Sequence, residues 1–249
     1  MAYIIAVAGK GGVGKTTLSA LLIRYLLKID SPILAIDADP NSNLNVQLGL
    51  EYGETIADIR EEAKTLSSPS FSKTDFFNLR LQEIIVEGTG VDLLVMGRPE
   101  GPGCYCAINN ILRDYLSRLN KNYKFIVMDN EAGMEHLSRR TAGSIDRLLL
   151  VSDPTTVGIQ SALNVFETAK KSGLKIKAVS LIINKLKNPL DKEKLELIRK
   201  NGLDVAIVIP FYSEIEKNSE SENKISNITI ENLDGIFDNI IKMEEKWKG

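Results

Sequence analysis

The sequence is poor in residues that mark several common protein classes. Its 249 residues include two cysteines, one histidine and one tryptophan, and the formal net charge is −2. Two cysteines are too few for a disulfide-stabilised scaffold, and the missing basic excess argues against nucleic acid as a partner. No apolar run approaches the ~20 residues of a membrane-spanning helix, and the N-terminus lacks the basic region of a signal peptide. We therefore expect a cytoplasmic protein with reduced thiols and no membrane partner.

The distribution of apolar residues indicates an α/β protein. Short runs rich in Val, Ile and Leu alternate with amphipathic segments, a pattern typical of a doubly wound, mostly parallel sheet with helices on both faces. The predicted strands are 3–9, 33–37, 91–97, 125–129, 147–153, 179–184 and 204–210. The predicted helices are 15–28, 107–120, 158–172 and 191–201, with further helices and an irregular excursion within 54–90. No repeat or linker interrupts this pattern, so residues 1–249 are expected to form one domain.

A glycine-rich loop follows the first predicted strand. The stretch "GKGGVGKTT" at 9–17 matches the phosphate-loop pattern G-x-x-x-x-G-K-[ST] and opens the first predicted helix. Glycines let the backbone turn its N–H groups toward phosphate oxygens, Lys15 is expected to reach the β- and γ-phosphates, and Thr16 to hold Mg²⁺. The alternative is a glycine-rich turn without a ligand. The expected nucleotide contacts are Gly11, Gly12, Val13, Gly14, Lys15, Thr16 and Thr17.

Acidic residues follow two other predicted strands. Asp37 and Asp39 alternate at the end of "AIDAD", so their side chains can share a side of the strand, and we assign Asp37 to the support of Mg²⁺ and its loop. The alternative is that one of them only caps a helix beginning near Ser42. Asp129 ends the apolar strand "FIVMD", as expected for an acid that binds Mg²⁺ through water, and Gly133 allows a turn that responds to the γ-phosphate.

The predicted base specificity is for adenine. Asn184 and Lys185 end the strand "LIIN", and in G proteins a similar Asn-Lys pair is followed two positions later by an Asp that reads guanine. Lys187 occupies that position here and has only donors. We therefore expect ATP and ADP as ligands, with Asn184 as a base contact.

Both cysteines lie in one short stretch, "GCYC". In extended backbone Cys104 and Cys106 point to the same side, so both thiolates can bind one soft or borderline metal ion. A structural zinc site usually has four ligands, and a two-fold dimer would bring four thiolates together. A redox pair and two buried structural cysteines are the alternatives. The single histidine, His136, is treated as structural or as a metal ligand, and Arg139 as a candidate for partner docking.

Several motifs in order resemble a known family. "AVAGKGGVGKTT", "AIDADPNSNL", "GCYC", "MDNEAGMEHLSR" and "INK" are similar to the CooC-type accessory ATPases, in a branch associated with acetyl-CoA synthase, within the MinD/ParA/NifH group. The resemblance implies that Lys10 reaches across a dimer toward the partner's nucleotide and that Asp39 orients the attacking water. It also implies backbone contacts to the base near Pro210 and Phe211.

This resemblance implies a function. An ATP-dependent homodimer would bind Ni²⁺ or Zn²⁺ through Cys104 and Cys106 of both chains, and would deliver nickel to apo carbon monoxide dehydrogenase or acetyl-CoA synthase. Three rival functions remain open: a MinD/ParA-like positioning ATPase, a NifH-like protein with a shared iron–sulfur cluster, and an iron–sulfur scaffold ATPase of the Mrp type. The positioning ATPase leaves the cysteine pair unexplained, and the Mrp type carries its cysteines near the C-terminus.

Overall fold

The structure is a computed structural model that describes residues 1–65, 73–98, 119, 121–132, 144–171, 173–212 and 233–242. Its strands are β1 (Tyr3–Gly9), β2 (Ile33–Ala38), β3 (Val91–Val95), β4 (Phe125–Ala132), β5 (Ser144–Ser152), β6 (Lys175–Leu186) and β7 (Val205–Pro210). Its helices are α1 (Lys15–Leu26), α2 (Leu44–Leu48), α3 (Ile56–Thr65), α4 (Lys73–Glu83), α5 (Thr156–Lys171), α6 (Lys192–Lys200) and α7 (Leu233–Lys242).

The seven strands form one sheet in the order β3-β2-β4-β1-β5-β6-β7, and every strand pair is parallel. The chain leaves β1 through α1 toward β2 on one side, whereas β4 is followed by β5 on the other side of β1. Ligands of such sheets bind at the carboxyl ends of the strands where this direction reverses. That point is the carboxyl end of β1, where the glycine-rich loop begins.

Apolar side chains alternate along the strands and form a core on each face of the sheet. On β1, Ile5 and Val7 pack on the face covered by α1, α2 and α7, whereas Ile4 and Ala6 pack on the face covered by α3, α4, α5 and α6. Both faces of a parallel sheet are therefore covered, which explains why its strands are continuous apolar runs.

The predicted fold class is confirmed, and all seven predicted strands are present. The helices expected at 15–28, 158–172 and 191–201 are present as α1, α5 and α6, and 54–90 contains α3 and α4. Apart from residue 119, the helix predicted at 107–120 lies outside the described residues.

Two strands begin earlier than their apolar runs indicate. β5 starts at Ser144 and β6 at Lys175, and both starts are polar. Asp146 accepts a hydrogen bond from the Ile4 N–H at 2.8 Å and pairs with Lys177 at 2.6 Å. Polar side chains at the starts of these strands thus form hydrogen bonds and ion pairs within the sheet. A pattern based on hydrophobicity alone therefore places the start of each strand too late.

The C-terminal helix of the described chain is bound to α1. Phe237 of α7 is fully buried, its ring lies 5.5 Å from that of Tyr25, and the Tyr25 hydroxyl donates to Asp238. Lys28 adds an exposed ion pair with Asp234. Among the described residues, no helix has the length and apolar character needed to cross a bilayer.

Truncation of Phe237 should destabilise the protein. We expect Phe237→Ala to lower the free energy of unfolding by about 3 kcal/mol, because a fully buried aromatic ring is removed. Urea unfolding followed by circular dichroism measures this loss. Leu79→Ala, at a side chain that is half exposed, is the matched control and should change stability by less than about 0.5 kcal/mol. Equal effects of the two variants would contradict the packing of α7 described here.

Candidate nucleotide-binding site

The loop between β1 and α1 has the geometry of a phosphate cradle. Gly12 and Gly14 have φ values of 78° and 93°, which L-residues with side chains rarely adopt. At Gly9 a Cβ would lie 2.1 Å from the Val151 carbonyl oxygen of β5, so only glycine fits between the strands. Gly14 caps α1 without a side-chain hydrogen bond, so the first N–H groups of α1 are open to an anion.

Lys15 is the buried cation of the site. Its side chain is 6% exposed and its Nζ donates to the Lys10 carbonyl at 3.2 Å. Burial lowers the pKa of the Lys15 ammonium, and the carboxylates of Asp129, Asp39 and Glu131 oppose this change. Lys15 is thus buried and interacts electrostatically with these three acids, whereas the side chain of Lys10 is exposed. Thr16 and Thr17 are half-buried in the first turn of α1.

Asp129 is a buried acid whose charge acts on this lysine. Its residue is 1% exposed, and neither carboxylate oxygen has a hydrogen-bond partner among the described residues. Burial raises the pKa of the Asp129 carboxyl to about 7, with the hydroxyl of Thr16 opposing and the carboxylate of Asp37 reinforcing the rise. Lys15 and the hydroxyl of Ser19, one turn after Thr16, also oppose it. Mg²⁺ prefers oxygen ligands, so an unpartnered carboxylate beside the Thr16 hydroxyl fits this ion.

Asp37 holds the loop that follows β2. It pairs in register with Asp129 on the neighbouring strand and is fully buried. Its carboxylate accepts hydrogen bonds from the N–H groups of Asp39 at 3.1 Å and Leu44 at 2.9 Å. Burial raises the pKa of Asp37 to about 6, and these N–H bonds oppose the rise. One oxygen therefore supports the backbone at Asp39 and the other supports the start of α2. This second contact is the helix-capping role that the sequence analysis gives as the alternative for this aspartate.

Asp39 lies in the turn that Asp37 supports. Its Oδ1 accepts from the backbone N–H of Asn41 at 2.9 Å and from the Asn41 side chain at 3.0 Å. The residue is half-buried, and its carboxylate acts on the charge of Lys15. The structure therefore brings Asp39, Lys15 and Asp129 to the same end of the sheet.

The carboxyl end of β6 borders the loop, and that of β7 lies beside it in the sheet. Asn184 Nδ2 donates to the Val13 carbonyl at 2.8 Å, so the residue predicted to contact the base also contacts the phosphate loop. Pro210 ends β7, and the Phe211 N–H donates to the Leu186 carbonyl at 3.0 Å. The Lys187 ammonium lies 4.1 Å from the centre of the Phe211 ring. The base contacts of Asn184, Pro210 and Phe211 remain predictions.

Two contacts of this region were not predicted. Lys185 Nζ donates to the Gly12 carbonyl at 3.1 Å, and the buried Asn130 donates through Nδ2 to the Val7 carbonyl of β1 at 2.8 Å. The Asn-Lys dipeptide is the sequence feature that marks Lys185, but by itself it predicts only which base is bound. Nothing in the sequence distinguishes Asn130, because its contact depends on a register shift between β1 and β4.

The predicted transition-metal site lies outside the described residues, as do Gly133, His136 and Arg139. Cys104 and Cys106 follow β3 in the sequence, and the described chain ends before them at residue 98. Within the described ranges, no three His, Cys, Asp or Glu side chains are grouped as metal ligands. The metal role of the cysteine pair therefore remains a prediction.

A glycine-rich loop between the central strand and its helix, with a buried lysine and a buried acid on the adjacent strand, defines a P-loop nucleotide-binding protein. Residues 4–225 match the family model of the CobQ/CobB/MinD/ParA nucleotide-binding domain, and the chain belongs to this family of ATP-binding P-loop NTPases. It is thus an ATPase of the MinD/ParA type.

Individual relatives agree with this assignment. The ATP-binding protein MJ0685 of Methanocaldococcus jannaschii is 42% identical over 217 residues, covering 85% of this chain and 86% of the relative. The carbon monoxide dehydrogenase accessory protein CooC of Rhodospirillum rubrum is 34% identical over 226 residues, covering 85% of each chain. The fold is that of the Pyrococcus furiosus cell division ATPase MinD, with a TM-score of 0.70, 22% identity and coverage of 99% and 100%.

The buried acid predicts a pH dependence of stability. Because the pKa of Asp129 is about 7 in the folded protein and 3.8 ordinarily, the folded state binds more protons between these values. In magnesium-free buffer, stability should therefore fall as pH rises through this window. We expect Asp129→Asn to be more stable than the wild type at about pH 8 and to lose this advantage at about pH 5, measured by urea unfolding.

Asp204→Asn, at an exposed carboxylate, is the matched control and should show no such crossover. A stability difference between Asp129→Asn and the wild type that is the same at both pH values would contradict the burial of a neutral acid at this position.

Proposed function

We propose that this chain is an ATP-dependent metallochaperone that dimerises around ATP, binds Ni²⁺ or Zn²⁺ through Cys104 and Cys106 of both subunits, and delivers nickel to apo carbon monoxide dehydrogenase or acetyl-CoA synthase. The observation that carries the proposal is its 34% identity to a carbon monoxide dehydrogenase accessory protein along 85% of both chains. The cysteine pair supplies the chemistry that a nickel carrier needs. The acetyl-CoA-synthase branch is the finer part of the same proposal.

The nucleotide half of the proposal rests on the site geometry. The loop amides and Lys15 bind the phosphates, and Asp39 orients the water that attacks the γ-phosphate, so that ATP and water give ADP and phosphate. Thr16 and Asp129 would hold Mg²⁺, which would supply positive charge to neutralise the phosphates. Asp37 accepts one hydrogen bond from the Asp39 N–H and one from the Leu44 N–H, which supports a fixed position for the loop that carries the water-orienting carboxylate.

One hydrogen bond joins this site to the chain directly after β3, which precedes the cysteine pair in the sequence. The Met96 N–H donates to the Asp37 carbonyl at 2.9 Å, directly after β3. Gly97 follows with a φ of 69°, and a Cβ there would lie 2.2 Å from Thr55 Oγ1. The turn after β3, from which the sequence continues to Cys104, is therefore attached to the backbone of Asp37. We propose that any coupling between nucleotide state and metal affinity acts through this turn.

A membrane-positioning role is less well supported. A membrane-binding helix presents its apolar side to lipid and carries a basic excess. In α7, Phe237 is instead buried against α1, and the acidic Asp234 and Asp238 contact Lys28 and Tyr25. The fold likeness to MinD concerns the ATPase domain, which both functions share. The positioning ATPase is the alternative that the following experiments test.

The metal half is tested on the intact protein by size-exclusion chromatography with light scattering and elemental analysis under anaerobic conditions. With Ni²⁺ or Zn²⁺ and a non-hydrolysable ATP analogue, we expect one metal ion per dimer, as four shared thiolates predict. Cys104→Ser with Cys106→Ser should abolish metal binding and leave ATP binding intact. Tyr105→Phe keeps both thiols and is the matched control. A nucleotide-bound dimer that carries no metal would favour the positioning ATPase.

The proposed ATP-dependent dimerisation is tested by substitution of Lys10, which is exposed on the phosphate loop. Because this side chain is proposed to bind the partner's nucleotide, Lys10→Ala should weaken ATP-dependent dimerisation at least about tenfold, the effect of losing one charged hydrogen bond. Analytical ultracentrifugation with and without the ATP analogue measures this change. Lys121→Ala removes an exposed lysine at the amino end of β4 and should not affect the dimer. Unchanged dimerisation of Lys10→Ala would refute the proposed contact.

A further inference from the structure

β6 ends in a bulge beside the phosphate loop. Ile183 pairs with Val208 and Leu186 with Pro210, so β6 uses one residue more than β7 between these pairs. Lys185 lies inside this bulge with a φ of 59°, a left-handed conformation that a lysine seldom adopts. Bulges and left-handed residues of this kind are retained where they direct side chains to a functional position.

Both side chains of the bulge contact the phosphate loop. Asn184 Nδ2 donates to the Val13 carbonyl at 2.8 Å, and Lys185 Nζ donates to the Gly12 carbonyl at 3.1 Å. Asn184 Oδ1 also accepts from the Lys185 N–H at 2.9 Å, which fixes the amide orientation. A Cβ at Gly14 would lie 2.7 Å from Asn184 Nδ2, so the loop and the bulge fit closely only because residue 14 is glycine.

These contacts determine where the loop amides point. In a trans peptide the carbonyl and the following N–H point in opposite directions. A donor that holds the Gly12 carbonyl therefore turns the Val13 N–H the other way, and a donor that holds the Val13 carbonyl does the same for Gly14. N–H groups of such a loop are the groups that bind phosphate oxygens.

We infer that Asn184 and Lys185 are positioning residues for the phosphates: from β6 they hold two successive peptide units of the loop so that the N–H groups of Val13 and Gly14 face the bound nucleotide's phosphates. Their effect is on phosphate affinity and is independent of the base. The inference concerns the nucleotide site alone, so it stands whether or not the cysteine pair binds a metal.

The exposure of Lys185 distinguishes this role from a purely structural one. Its side chain is exposed, and an exposed hydrogen bond contributes little to the stability of the fold. Removal of the ammonium should therefore change ligand binding much more than thermal unfolding. A base-reading role for Asn184, by contrast, would affect only ligands that contain a base.

The test measures the binding of Mg-ATP, Mg-ADP and inorganic tripolyphosphate to the full chain by isothermal titration calorimetry. Lys185→Asn retains a residue that tolerates the left-handed conformation but cannot reach the Gly12 carbonyl. We expect it to weaken all three ligands by the same factor, at least about tenfold, as for the loss of one charged hydrogen bond. Lys185→Arg retains the donors and should bind like the wild type. Lys192→Ala, at an exposed lysine of α6, is the control.

Asn184→Asp tests the second contact. Aspartate keeps the acceptor for the Lys185 N–H but has no donor for the Val13 carbonyl, so all three ligands should again bind more weakly. Hydrogen exchange measured without ligand should be faster at the Val13 and Gly14 amides in both variants and unchanged in Lys192→Ala. This exchange readout is specific to the loop geometry.

Two outcomes would overturn the inference. If tripolyphosphate binding is unchanged while ATP binding is weakened, the bulge reads the base and does not position the phosphates. If ligand binding is unchanged and only the unfolding temperature of the ligand-free protein falls, the contacts are structural. Neither outcome bears on metal stoichiometry, which the cysteine variants address separately.

Discussion

Two carboxyl groups lie side by side within an apolar parallel sheet, and much of the site is arranged around them. Asp37 and Asp129 are in register on β2 and β4, and both are buried. A buried carboxylate is unfavourable unless it is hydrogen-bonded or paired with a cation. Asp37 is satisfied by two backbone N–H groups, whereas Asp129 has no hydrogen-bond partner among the described residues and is opposed in charge by Lys15. The loop, the acids and the nucleotide thus form one electrostatic unit.

The parts of this unit that follow from local sequence were predictable. Continuous apolar runs predicted all seven strands, and the spacing of Gly9, Gly14 and Lys15 predicted the loop and the start of α1. The parts that depend on strand register were not. The bulge at Lys185 and the contact of Asn130 with Val7 arise where the register between two neighbouring strands shifts. The sequence pattern of a single segment does not indicate such a shift.

Nucleotide chemistry and metal chemistry have different kinds of support in this chain. The geometry of the loop and the family assignment support ATPase activity. The cysteine pair and the similarity to CooC support the proposal that the protein carries a metal ion. Met96 donates its N–H to the Asp37 carbonyl at the end of β3, and the sequence continues from there to the cysteine pair.

The attachment of α7 to α1 also constrains how the protein is made. The Tyr25 hydroxyl and Asp238 are 213 positions apart in sequence, and α1 is among the first elements to leave the ribosome. The apolar surface around Tyr25 therefore has no Phe237 to cover it until residues 233–242 have been synthesised. Contacts this distant in sequence form late, so the helix that begins at the phosphate loop completes its packing only when nearly all of the sheet is present.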